Sequence, residues 1–172
     1  MLDYYGNRRS AIRAKAELYG INFKKWFGNW TDPDANNVSK VVDTNGEPMI
    51  VWHGTDKSFN NFSTQSVIAE QSADKGHHFG SFEAAEHRAQ IKNEKNSTDT
   101  KYMYPRFLNI KNLALLEDEF QGKPFEQQFL EYPDSDGFYY KNKIEDEGEL
   151  SYIIKNDNQQ RQIGSLFSFK AN

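Results

Sequence analysis

Apolar positions recur along this chain at two spacings, near 3.6 and near 2, and the switches between them lay out short helices and strands. Behind Ser10, a good N-cap, Ile12, Ala16 and Tyr19 keep helical spacing until Gly20 interrupts them, which predicts a short amphipathic helix. The next segment, INFKKWFGNW, concentrates Phe23, Trp26, Phe27 and Trp30. That is too much aromatic surface to leave in water, so a lid or brace with both indoles buried against a sheet is expected. After the loop DPDANN, the run SKVVDTNGEPMIVWHG places β-rich stretches on either side of an Asn45-Gly46 turn, the pattern of a hairpin, with its firmest strand at Met49 to Trp52.

The polar, serine-rich stretch from Asp56 to Lys75, with Phe59 and Phe62 in it, reads as a long loop and a candidate substrate-binding flap. A short strand at Gly76 to Phe79 leads to Ser81, which caps a helix carrying Ala84, Ala85, His87, Arg88 and Ile91 until polar NEKNSTDT ends it. Further strands are predicted at Tyr102 to Ile110, Phe138 to Lys141, Ser151 to Ile154 and Leu166 to Phe169, with a helix at Pro124 to Leu130. The class is α+β with a mostly antiparallel sheet. The expected organisation is a helical and aromatic brace over 1–37 and a single unit over 38–172, compact overall.

Composition narrows this picture. At 172 residues one domain suffices, and 37% hydrophobic residues with 15% aromatics predict a small, ring-rich core. A net charge of -4 gives no overall pull toward nucleic acid or membrane, yet residues 1–30 carry a local balance of +4 and the segment Glu117 to Glu149 one of -8. Solvated faces account for both; an RNA or acidic-protein contact at the basic head is the alternative. With no cysteine, disulfides and thiolate chemistry are excluded. The first residues, MLDYYGNRRS, have no signal-like apolar stretch and no run reaches membrane-spanning length, so a cytoplasmic protein without a membrane partner is expected.

Candidate chemistry centres on histidine. His53 is expected at the end of the firmest strand, where Gly54 lets backbone approach a ligand closely and Thr55 follows. GHHFGS puts His77 and His78 on opposite sheet faces, with Gly80 and Ser81 at the turn into a helix whose free N–H groups suit a polar ligand edge. His53 and His78 are expected to face one cleft. No metal site is expected, because the histidines lack ligand spacing and no cysteine completes a set. No GxSxG elbow, GxGxxG loop or phosphate-binding GxxxxGK loop is present, which excludes the usual hydrolase and nucleotide-fold signatures.

The runs FKKWFGNW, SKVVDTNGEPMIVWHGT, GHHFGSFEAAEHR, YPRFLNIKN, DGFYYKNKIE and SYII, in that order over most of Ile21 to Ile154, resemble the ADP-ribosyltransferase domains of phage and mobile-element polyvalent proteins. The resemblance implies a split sheet with the substrate NAD in the cleft between its halves. It implies that His53 contacts ribose hydroxyls, that the Gly54 backbone holds the nicotinamide amide, and that Thr55 supports that turn. His78 stands where the family offers a tyrosine to stack on nicotinamide, and the NAD-binding set extends to Phe79, Gly80, Ser81, Ser151 and Tyr152. The family's catalytic glutamate falls at Glu145. Ser151 occupies the place where polymerase-type relatives carry theirs, and Glu149, two residues earlier on the same strand face, is the second candidate for the catalytic carboxylate.

Such a carboxylate would stabilise the oxocarbenium-like charge that grows on ribose as the nicotinamide bond breaks, a term worth roughly 2.7 to 4 kcal/mol. The resemblance thus implies an enzyme that moves ADP-ribose from NAD to an unidentified protein or nucleic acid, in the host cytoplasm if phage-encoded. An NAD glycohydrolase, or a silent module that binds NAD, RNA or protein, is the alternative.

Overall fold

A computed structural model describes residues 20–60, 77–117, 123–143, 147–163 and 167–170. The helix expected behind Ser10, most of the serine-rich loop with Phe62, and Glu145 lie outside the described residues. No helix among those described is long and apolar enough to cross a membrane.

The strands form two four-stranded sheets. In the first, β3 (Thr100–Leu108) is central, with β1 (Val51–Thr55) on one side and β7 (Gln160–Gln162) and β8 (Phe167–Lys170) along the other, all antiparallel. In the second, β2 (His77–Phe79) pairs with β6 (Glu149–Ile154), β6 with β5 (Gly137–Asn142), and β5 with β4 (Leu113–Leu115). Only β4 and β5 run parallel among these pairs, joined by helix α3 (Phe125–Glu131), so the α+β class and the mostly antiparallel split sheet hold. The first helix, α1 (Ile21–Phe27), begins at Gly20 in the segment read as a brace, and α2 (Phe82–Asn96) follows β2.

Side-chain alternation assigns the faces. Phe79 of β2 lies with Tyr152 and Ile154 of β6, and with Val41, Val51, Tyr104, Leu108 and Ile110 they make the central core, on the face that His77 shares. The opposite face of the second sheet packs Phe138, Tyr140 and Ile153 under Phe125 of α3. Ala85 and Ala89 of α2 cover Met103, while Phe23 and Phe27 of α1 pack on Phe107 and Ile163. Trp26 and Trp30, expected to be largely buried, flank that last cluster and are half-buried. The phenylalanines on the inner side of α1 take the deepest places, and the Trp26 indole N–H reaches the Asn158 carbonyl at 2.9 Å.

Boundaries depart from expectation for local reasons. Asn45-Gly46 does turn the chain, with Gly46 at φ 79°, but the hairpin it closes has a single bridge, Val42 to Pro48. The following strand starts at Val51 and runs through Gly54 and Thr55, because pairing with Met103 and Tyr102 continues past the glycine. Helix α2 is capped by Ser81, whose Oγ accepts from the Ala84 N–H at 2.9 Å. It runs on through the polar residues to Asn96, since polarity alone does not stop a helix; the stop is Ser97 in a left-handed conformation.

Candidate active site

Among the described residues the two sheets meet at one bridge. Trp52 donates to the Gly80 carbonyl at 2.8 Å and accepts from the Gly80 N–H at 2.9 Å. An antiparallel ladder would next join Gly54 to His78, two residues on in each strand. Among the described residues that pair is not made, and β1 continues on β3 alone. Because backbone groups alternate along a strand, the N–H and C=O of Gly54 point the same way as those of Trp52, into the gap where β2 diverges. Helix α2 closes the other side: a Cβ at Gly54 would overlap the Ala85 carbonyl, so only glycine fits.

His53 sits in the middle of β1, not at its end. Its ring faces the central core, with centroids 5.7 Å from Phe79, 6.1 Å from His77, 6.2 Å from Phe59 and 6.5 Å from Tyr104. Its Nδ1 lies 2.8 Å from the backbone carbonyl of His78. A carbonyl only accepts, so Nδ1 carries the proton and donates. Burial, with the Lys92 ammonium adding, holds the imidazole well below its ordinary pKa, against the pull of that hydrogen bond. The ring is therefore neutral near pH 7.

The His78 side chain points the other way. It lies on the α3 face, half-buried, with Nδ1 3.1 Å from the Tyr140 hydroxyl and its ring 5.6 Å from that of Phe125. The expectation that the two imidazoles face one cleft is therefore corrected: they occupy opposite faces, and what joins them is the ring of one and the backbone of the other. The register explains it, since from the Trp52 to Gly80 bridge His53 falls opposite Phe79, and His78 alternates away from Phe79.

On the face of His78, β5 and β6 add a polar strip. Ser151 lies opposite Tyr140, Glu149 opposite Asn142, and the Asn142 Nδ2 donates to Ser151 Oγ at 3.1 Å. Ser151 and Asn142 are both 3% exposed. A Cβ at Gly80 would come within 2.9 Å of Ser151 Oγ, so the start of α2 lies directly over it. Glu149, at the first position of β6, shares that face and is exposed. The turn before it passes through Glu147 at φ 45° and Gly148 at φ 99°, with the Gly148 N–H closing onto the Asn142 carbonyl at 2.8 Å.

Other residues named from the sequence fall elsewhere. Phe79 and Tyr152 belong to the central core, 1% and 4% exposed, where their side chains serve packing. The Ser81 hydroxyl is engaged as the helix cap. Thr55 is buried beside Asp56, whose carboxylate accepts from Asn96 Nδ2 at 2.8 Å and from Thr98. Burial pushes the Asp56 pKa up, but the Asn96 donor, its own backbone amide and the Lys92 and Lys57 charges outweigh it and hold it below the ordinary value. Among the described residues no group of three or more acidic or histidine side chains could hold a metal ion. Tyr140 and Asn142 were not singled out from sequence. Their signal is the alternation Phe138, Tyr140, Asn142, which carries a polar side chain onto a buried face.

Compared with protein-family models, residues 43–165 match the model described as ADP-Ribosyltransferase in polyvalent proteins. That span is well over half the chain and takes in β1 to β7 with both histidines, Ser151 and Glu149, while α1 precedes it. No curated protein matches the sequence.

Proposed function

The chain belongs to the family of ADP-ribosyltransferases in polyvalent proteins, and from that premise we propose that it transfers ADP-ribose from NAD to a macromolecular acceptor, using the gap between β1 and β2. The observation that carries this reading is the Gly54 backbone, whose donor and acceptor turn together into the gap beside His78. A carboxamide such as that of nicotinamide presents the complementary acceptor and donor on one edge.

In this reading the Gly54 backbone fixes the carboxamide, and His78 with Tyr140 bounds the ring. Glu149 is the carboxylate: it shares a face with His78 and Ser151 and is exposed, whereas Ser151 is buried too deeply for a glutamate side chain there. As the bond between nicotinamide nitrogen and ribose C1′ breaks, its electron pair leaves with neutral nicotinamide and positive charge develops on the sugar. The carboxylate stabilises that charge until an acceptor nucleophile bonds to C1′ and gives up its proton. The family's setting points to conflict between a mobile element and its host, in the host cytoplasm.

One observation favours a second reading, a silent binding module. Where the family offers a tyrosine for stacking, His78 is packed against Phe125 and hydrogen-bonded to Tyr140. Incubation with NAD labelled in the adenylate half, in the presence of cell lysate, separates the readings. Label entering protein, RNA or DNA supports transfer, free labelled ADP-ribose supports hydrolysis, and unchanged NAD supports the silent module.

A further inference from the structure

We propose that His53 is a positioning residue that keeps the two sheets apart: its imidazole caps the His78 carbonyl and so withholds it from the backbone N–H of Gly54. This rests on the proposed use of Gly54 for a carboxamide, but its physical content stands without NAD.

The geometry runs in four steps. Trp52 and Gly80 exchange both hydrogen bonds, which sets the register between β1 and β2. In that register Gly54 and His78 form the next hydrogen-bonded pair of an antiparallel ladder, and their pairing would zip the gap shut. The His78 carbonyl instead accepts from His53 Nδ1 at 2.8 Å, within ordinary hydrogen-bond length. The ring that delivers this donor lies on the core face, set at 54° to the Phe79 ring and 5.7 Å from it. One side-chain N–H thus satisfies the carbonyl that the ladder would otherwise satisfy. The unclosed ladder leaves the Gly54 donor and acceptor facing the gap.

Two features fit this role. The ring is held neutral by burial and by Lys92, so the proton that the carbonyl fixes on Nδ1 is its only one and Nε2 is an acceptor. The residue that is kept open is the one at which α2 packs too closely for any side chain, so the gap can be lined there only by backbone. The resemblance gives His53 a different task, contact with ribose hydroxyls, which would fall to the far nitrogen of the ring, Nε2. The two tasks can be separated because asparagine places an amide N–H where histidine has Nδ1, whereas glutamine places its amide where histidine has the accepting Nε2, with an oxygen that can accept there.

The test compares His53→Asn with His53→Gln in the full chain, by amide hydrogen exchange at Gly54 without ligand and by affinity for nicotinamide alone, which has no ribose. Strand separation requires that His53→Asn leave Gly54 exchange and nicotinamide affinity within about twofold of the unmodified protein. It requires that His53→Gln slow Gly54 exchange by about tenfold and weaken nicotinamide by a similar factor, the scale of one backbone hydrogen bond. Protection at Phe107, in the other half of β3, monitors the fold in each variant. Slow Gly54 exchange in the unmodified protein or in His53→Asn overturns the proposal, as does fast exchange in a folded His53→Gln. If His53→Gln loses protection at Phe107, the asparagine arm decides alone. If the unmodified protein exchanges rapidly at Gly54 but does not bind nicotinamide, strand separation stands and the carboxamide reading fails.

Discussion

His53 was readable as a candidate from its neighbours Gly54 and Thr55, but its direction was not, because a sequence gives period two along a strand without saying which face meets the core. The bridge from Trp52 to Gly80 settles it, and places the ring among Phe59, His77, Phe79 and Tyr104. A pH dependence follows. The folded ring resists protonation, chiefly through burial and then through Lys92, whereas the unfolded imidazole takes up a proton near pH ~6.5. Its contribution to stability is therefore complete above that pH and is lost as pH falls from there toward the depressed folded value, with a limiting slope of about 1.4 kcal/mol per pH unit. Asp56, the carboxylate held below its ordinary value, acts only at more acid pH. Urea midpoints at pH 7.5 and 5.5 should show the unmodified protein losing more stability on acidification than His53→Asn. Equal losses would mean that the ring is not held neutral.

At the scale of elements, the helices announced by caps and the strands announced by alternation were readable: α2 begins behind Ser81, and β2, β5 and β6 lie within a residue or two of their expected places. β4 and β7 were not: three residues are too few to show a period, and neither runs into a capped helix as the equally short β2 does at Ser81, so each exists through its partner strand. The end of β1 was misplaced for a related reason. Gly54 reads as a breaker from sequence, yet it is there to admit α2 against the sheet. Gly54→Ala should therefore cost about 3 kcal/mol or more, since the new methyl meets the helix backbone and not a movable side chain. Gly46→Ala is the comparison: nothing lies within 4 Å of a Cβ there, and only its left-handed φ opposes the change, at about 1 to 2 kcal/mol. Urea unfolding of both should rank Gly54→Ala as clearly the more damaging; the reverse order would contradict the close packing of α2.

At the scale of the whole molecule, the split sheet was anticipated by a resemblance carried on ordered motifs, and a family match over residues 43–165 agrees with it. What the sequence could not supply is how the second sheet turns its polar strip. The strip depends on pairs from separate strands, Tyr140 with Ser151 and Asn142 with Glu149, and no local pattern encodes such pairs. These pairs put Glu149 on the strip and are the reason it is proposed as the carboxylate, while Glu145, which the resemblance implies, lies outside the described residues. The most direct test is the rate of nicotinamide release from NAD, measured beside NAD affinity for the unmodified protein, Glu149→Gln and Glu145→Gln. The proposed mechanism requires release by the unmodified protein, and a fall of roughly 100-fold or more in turnover for Glu149→Gln with affinity little changed, because the lost charge acts mainly in the transition state. A comparable fall in Glu145→Gln alone would move the carboxylate to that residue, and no release by the folded, unmodified protein would contradict the transferase account itself.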